Sequence, residues 1–573
     1  MKFIMWKKSG LLRRMALALV LAWAALGFRP TISRAQERPN IVFILTDNQS
    51  PSTLGCYGND EISTPNIDRL AAQGIRFENA FACNGMCSPS RATIMTALMP
   101  SQHGIHTQLS DQLKKEWPKN WCAVDEFRTL PKTLAEDGGY ETALIGKWHL
   151  GNPYQSQLGF DYWVTFPEGH TWDWYNNDII DNGTQYKCPG HITDFWTEKA
   201  VEYLNNRSGE KPFFLYLAYD APYGLPPSIT GKAENRFAGL YEGKEMNSSP
   251  RAGLNKMLEK YVREGPEHYK SLAGIGHNKW AATLILTLND PESMRNFASQ
   301  ISLVDDGVGR LLDTLKLNGL DKNTLVILSS DQGLAYGQKG LWGQTENTYP
   351  SNLYDTPLRI PLIFRHTGRI PVLQETGLLV SDYDIFSTIL SYVGLSSIDI
   401  ANTPGLSFAP LLEGKKLCWK EHGAVFMEQE ESRAVRTLEW KYVERCPQFI
   451  QEFGSSRSGL DAFEKIIQTK YPHAADKIVK LFQNKLTGDE LYNLKDDPEE
   501  LVNLAGDSEY ADIQKKLAER LKDFFDRYAD PQYDLWKGGT VKSNSNVPFI
   551  WKKLTPGWKP VMKEVTHPFS DKE

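Results

Sequence analysis

The chain of 573 residues lacks a second cysteine pair to match Cys83 and Cys87, any low-complexity tract, and any internal repeat. Each absence removes a class. A C-x-x-x-C without a partner pair is a weak zinc or redox signal, because zinc sites usually draw ligands from two such pairs. Hydrophobic residues at 41% and charged residues at 23% are those of an ordinary globular chain, which argues against disorder, collagen and coiled coil. Past the N-terminus there is no apolar run of the roughly 20 residues that a spanning helix needs. The cysteine count is seven, so at least one thiol stays outside any disulfide. Positive charge is also short: 64 Lys and Arg face 70 Asp and Glu, for a formal charge of -6.

What the N-terminus does have is an export signal. Lys2, Lys7, Lys8, Arg13 and Arg14 precede an apolar run over residues 15–28, and Ser33-Arg34-Ala35 offers small residues for cleavage. A secretory signal peptide over 1–35 is the expected reading, with the periplasm or the exterior as destination. An uncleaved anchor is the competing one, disfavoured by the shortness of the run. Residues 1–35 hold seven Lys or Arg and no acid, so cleavage takes the charge from -6 to -13. A chain that acidic is a poor nucleic-acid binder. An anionic substrate would require a local cluster of cations.

Four apolar runs, at residues 41–46, 142–146, 213–219 and 324–330, read as buried strands. They lead into Asp47-Asn48, Lys147-Trp148-His149, Asp220 and Asp331-Gln332. Helical patterns at 66–73, 89–97 and 296–317 fall between them. Alternating strands and helices predict an α/β fold: a doubly wound, mostly parallel sheet flanked by helices. Ligands gather at the carboxyl ends of such strands. Past about residue 415 the texture changes to short strands at 424–429, 434–437 and 440–443 and an amphipathic helix at 510–528. The expected organisation is a catalytic domain over 36–415, a smaller α+β domain over 416–530 and an extension over 531–573.

The sharpest local pattern is Cys87-Ser88-Pro89-Ser90-Arg91. Ser88 reads as an N-cap and Pro89 suits the first turn. Cys87 would then precede a helix N-terminus, where free amides favour negative charge. An ordinary capped helix with a structural cysteine fits the pentapeptide alone.

C-S-P-S-R resembles the sulfatase signature C-x-P-S-R, in which a maturation enzyme oxidises the cysteine to formylglycine. The likeness extends to residues 40–68 (NIVFILTDNQSPSTLGCYGNDEISTPNID), to GYETALIGKWH at 139–149, to SDQG at 330–333, and to ELYNLKDDPEELVNL at 490–504. It covers roughly residues 39–505 in the family's order. It implies an alkaline-phosphatase-like sheet and a sulfuric ester hydrolase. It also implies a cation, Ca²⁺ with Mg²⁺ as the alternative, held by Asp47, Asn48, Asp331 and Gln332 beside the modified Cys87. Asn48 and Gln332 stand where Asp and Asn or His are frequent, but each keeps a carbonyl oxygen. In the implied reaction the hydrated formylglycine attacks sulfur, and Arg91, Lys147 and His149 neutralise the sulfate oxygens.

On the leaving-group side the chain departs from the family. Ala221-Pro222-Tyr223 replaces a frequent Ala-Pro-His, and Gly337-Gln338-Lys339-Gly340-Leu341-Trp342-Gly343-Gln344 carries Lys339 for a histidine and Gln344 for a sulfate-binding lysine. The expectation is that Lys339 takes the sulfate contact and that His170 or Tyr223 assists the departing oxygen. A sulfated carbohydrate is the expected substrate class, and the aromatic run at 170–175 either stacks on sugar rings or packs under the second domain. A phosphonate or phosphate ester hydrolase and a silent glycan-binding protein are the rival functions.

Overall fold

Successive residues of the first strand face opposite ways, as the period of two demands. In β1 (Asn40–Asp47), Ile41, Phe43 and Leu45 enter one apolar core, while Val42 and Ile44 enter another on the opposite face. The strands here called β7 (Phe213–Pro222) and β8 (Thr324–Ser330) divide in the same way. A strand buried on both sides belongs to a sheet covered by helices on both faces. In the computed structural model this sheet has ten strands. The structure describes residues 38–109, 117–118, 120–207, 209, 211–230, 234–250, 287, 290–345, 351–396, 398, 400–417, 422–447 and 488–542. The expected leader at 1–35 and the tail past 542 lie outside the described residues.

The remaining strands of the large sheet are β2 (Ile75–Phe81), β3 (Glu141–Gly146), β4 (Tyr162–Thr165), β5 (Asp178–Asp181), β6 (Thr184–Lys187), β11 (Leu362–Arg365) and β12 (Gln374–Ser381), in the order β12-β2-β11-β8-β1-β7-β3-β4-β5-β6. Between β8 and β11 lies a small ribbon of β9 (Ala335–Tyr336) and β10 (Trp342–Gly343). The central neighbours β8, β1, β7 and β3 run parallel. The sheet is mixed, because β11 pairs antiparallel with both β8 and β2, and β4 to β6 form antiparallel pairs at one edge. Helices α1 (Pro65–Ala72), α3 (Ile192–Asn205) and α4 (Pro291–Leu317) contribute to one core. Helices α2 (Cys87–Thr96) and α5 (Asp382–Tyr392) contribute to the other.

A second, four-stranded antiparallel sheet of β13 (Val425–Gln429), β14 (Ser432–Arg436), β15 (Trp440–Arg445) and β16 (Glu490–Asn493) carries α6 (Ala511–Tyr528) on one face. Phe524 of α6 stacks on Phe426 at 3.8 Å. The two sheets meet through Val425 and Met427, which share a core with Phe81 and Leu379. A buried ion cluster seals the same seam: Asp355 accepts from Arg436 at 3.1 Å and from Lys441 at 2.9 Å. Asp305 of α4 is a packing residue, buried and accepting from the backbone of Asn66 and Ile67 at the start of α1.

One local expectation fails. Ser88 is not the N-cap: α2 starts at Cys87, with Met86 in an extended conformation before it. The Ser88 hydroxyl instead accepts from the Leu109 backbone at 3.0 Å. A tertiary partner outcompetes the local cap, and Cys87 gains the first helical position itself.

Candidate active site

Parallel order places the ends of β8, β1, β7 and β3 side by side, so residues far apart in sequence meet at one edge. Three of these ends are held open by backbone that side chains rarely adopt: Asn48 after β1 (φ 61°), His149 after β3 (φ 57°) and Tyr223 after β7 (φ 36°). Left-handed residues other than glycine cost roughly 1–3 kcal/mol each and cluster at functional sites.

Below them, the first turn of α2 presents Cys87. Its thiol lies 3.7 Å from Asp47 Oδ1 and receives the side-chain amides of Gln332 at 3.3 Å and Gln344 at 3.5 Å. Arg91, one turn along α2, aims its guanidinium at three acceptors. Its Nε donates to Asp331 at 2.9 Å, its Nη2 to Asp47 at 3.0 Å and its Nη1 to the Lys147 carbonyl at 2.9 Å. Lys147 donates to Asp47 at 2.6 Å. Ser90 ties the helix to the Asp331 carbonyl and, at 3.2 Å, to Asp382, whose other oxygen accepts from the Cys83 backbone. Cys87, Arg91, Lys147, Asp47 and Asp331 are all essentially inaccessible to solvent.

Two carboxylates and two cations thus balance formally, but the balance is uneven in space. Burial and the neighbouring Asp47 push the Asp331 carboxyl up to about 7. Burial, again with Asp47, pushes the Cys87 thiol up to about 12. Burial opposes the charged form of Lys147, yet Asp47 and the other anionic neighbours hold its ammonium above the usual range. The pocket therefore disfavours a thiolate, the form in which cysteine is a nucleophile.

The donor set fits a hard divalent cation. Ligand atoms of Asp47, Cys87 and Asp331 lie within 4.8 Å of one another. Gln332 Oε1 is buried without a hydrogen-bond partner among the described residues, and Asn48 Oδ1 faces the same space, accepting from Gln332 at 2.5 Å and Gln344 at 2.7 Å. Carboxylate and amide oxygens are the ligands such ions take.

Not every expected residue converges here. The Lys147 ammonium sits 5.1 Å from the Tyr223 ring, which places Tyr223 at the site. His149 donates its Nε2–H to the Leu109 carbonyl (2.8 Å) and meets the His170 ring at 5.1 Å, so this pair forms one wall. Lys339 is elsewhere. It occupies a left-handed turn (φ 57°), binds the Glu500 carbonyl and lies 3.6 Å from the Tyr354 ring at the seam between the sheets. The residue that this loop sends to Cys87 is Gln344, whose departure from the family pattern was the available signal. The 170–175 run divides: Trp174 is buried, whereas Trp172 and Tyr175 are exposed.

A family model described as Sulfatase matches residues 39–395. An N-acetylglucosamine-6-O-sulfatase of Bacteroides thetaiotaomicron is 28% identical over 565 residues, covering 90% of this chain and 92% of that protein. An N-acetylgalactosamine-6-sulfatase of Canis lupus familiaris is 26% identical over 428 residues, covering 70% of each chain. Among solved structures, one described as BT4656 with its substrate D-glucosamine-2-N,6-O-disulfate superimposes with a TM-score of 0.59 and 24% identity, over 86% of this chain and 98% of that one. With a helix-borne cysteine set against paired acids and cations at the ends of parallel strands, this chain belongs to the sulfatase family and is a sulfuric ester hydrolase.

Proposed function

We propose that the protein is an exported sulfatase that removes sulfate from sulfated carbohydrates, with residue 87 acting as formylglycine. The observation that carries this is the placement of Cys87 at the first position of α2, facing Asp47, Asp331, Arg91 and Lys147 at once. Oxidised by a maturation enzyme, residue 87 in its hydrated aldehyde form supplies an oxygen nucleophile for sulfur. A divalent cation, Ca²⁺ by preference, held by Asp47, Asn48, Asp331 and Gln332, supplies positive charge beside it.

The chain's own groups do the rest. Arg91 bridges both carboxylates through its fork of donors, which fixes the nucleophile's position relative to them. Lys147 and His149 flank the entry of a sulfate group, and Lys147 offsets the charge that develops on its oxygens. Gln344 donates from the opposite side, in the place expected of Lys339. Tyr223 and His170 border the leaving alcohol. Sulfated N-acetylhexosamines bearing a 6-O-sulfate are the first substrates to test, because curated relatives with that activity align along most of the chain.

The experiment compares sulfate release from N-acetylglucosamine 6-sulfate and nitrophenyl sulfate with hydrolysis of nitrophenyl phosphate and a phosphonate monoester. Sulfate turnover at least 100-fold faster than both is expected. Faster phosphonate hydrolysis would assign the protein to the rival reaction, and no turnover of any of them by formylglycine-bearing protein would favour a silent binder.

A further inference from the structure

Among the described residues the tryptophans are mostly interior: Trp148, Trp163, Trp174, Trp196 and Trp342 are each no more than 2% exposed. Trp172 is 57% exposed. Its loop is nonetheless fixed on both sides. Thr171, buried, donates to Asp220 Oδ2 at 3.2 Å. Trp174 donates its indole N–H to the Ser228 carbonyl at 2.7 Å and stacks on His191 at 5.5 Å, and Tyr175 donates its hydroxyl to the Glu234 carbonyl at 2.7 Å. Trp172 is therefore displayed by a segment whose flanking residues are anchored before any ligand arrives.

The ring also lies on a path from the reaction centre. His149, two residues beyond Lys147, meets His170 at 5.1 Å, and His170 meets Trp172 at 5.9 Å. The surrounding segment, residues 166–178, holds Glu168, Asp173 and Asp178 and no lysine or arginine. An exposed aromatic face suits the C–H face of a sugar; Asp178 is paired with Lys187 at 2.8 Å, and the segment's other acids, Glu168 and Asp173, set its charge against a second sulfate or a uronate.

We propose that Trp172 is the platform of a second sugar subsite, which takes an uncharged pyranose joined to the sulfated residue; this rests on the sulfated-carbohydrate reading above. The subsite selects the neighbour of the reacting sugar and leaves the chemistry at Cys87 untouched.

The test uses the mature enzyme and its Trp172→Ala and Trp172→Phe variants. The substrates are nitrophenyl sulfate, N-acetylglucosamine 6-sulfate, and that sulfated sugar joined either to galactose or to glucuronate. Trp172→Ala should raise KM for the galactose disaccharide at least tenfold with kcat within twofold, and Phe should restore it to within threefold. Nitrophenyl sulfate and the monosaccharide should keep kcat/KM within twofold in both variants. The wild type should prefer the galactose disaccharide to the glucuronate one. An unchanged KM for the galactose disaccharide in Trp172→Ala, or an equal loss on nitrophenyl sulfate, would overturn the platform. Failure of the sulfated-sugar reading would look different: the wild type would release no sulfate from any of the sugars. Tryptophan fluorescence then decides alone. The galactose disaccharide should quench the wild type and not Trp172→Phe, and no quench, or quenching that follows protein concentration instead of sugar, sinks the idea.

Discussion

Two carboxylates in buried ion clusters, Asp355 and Asp331, behave in opposite ways. At the seam between the sheets, the Asp355 carboxyl is desolvated, but Arg436 and Lys441 outweigh that and hold it well below the usual carboxylate range. At the edge of the large sheet, burial and Asp47 push Asp331 up to about 7 even though Arg91 is bound to it. The seam brings an acid onto cations of the chain. The site turns two acids toward one shared point beside the amides of Gln332 and Asn48, whose Oε1 and Nδ2 find no partner among the described residues. A structural lock closes its electrostatics within the chain. A reaction centre leaves a demand that a ligand must meet.

Substitutions that exchange these two behaviours test the contrast. The largest effect is expected at Cys87→Ala, where sulfate release should fall by roughly 10⁴-fold or more while the melting temperature stays near that of the wild type. A variant that kept activity would remove Cys87 from the chemistry. At the seam, Asp355→Ala leaves Arg436 buried without its acid and Lys441 with Glu500 alone, at 2.8 Å, and denaturant unfolding should show a loss of about 3–5 kcal/mol. Its kcat/KM, measured well below the transition, should stay within a few-fold. Gln344→Ala should lower kcat/KM by about 10- to 100-fold, the worth of one hydrogen bond to a charged partner. Lys339→Ala should leave kcat/KM within threefold and lower stability by about 1–2 kcal/mol, because its ammonium rests on Tyr354. If Lys339→Ala proved the more damaging to turnover, the assignment of the two would reverse.

A further effect should appear with pH. Burial pushes His191 down to about 4. In the unfolded chain it titrates near 6.5, so between these values the unfolded state binds more protons and stability is lost as pH falls. From pH 7 to 4, the wild type should lose roughly 2–3 kcal/mol relative to His191→Gln. Parallel curves for the two proteins would contradict this.

The part of the site built on strand ends was legible in the sequence for a physical reason. Strands buried on both faces, such as β1, β3, β7 and β8, read as unbroken apolar runs that stop at Asp47, Lys147, Asp220 and Asp331. The edge hairpin of β5 and β6 was also written there, since Asn182-Gly183 with φ of 48° and 87° makes the tight turn, but its strands of four residues are too short and too exposed to stand out. The roles of Lys339 and Gln344 were not legible. Both lie on one short loop, and what separates them is the seam with the second sheet, where Tyr354 and Tyr492 draw Lys339 away. Ser88 failed for a similar reason: its hydroxyl serves Leu109, a contact that no local pattern announces.

The chemical identity of residue 87 in the working enzyme decides the mechanism. Mass analysis of the peptide carrying Cys87, from protein made alongside a formylglycine-generating maturation enzyme, measures this directly. The thiol sulfur should be replaced by an aldehyde oxygen, in proportion to the specific activity of each preparation. An unmodified thiol in fully active protein would contradict the account.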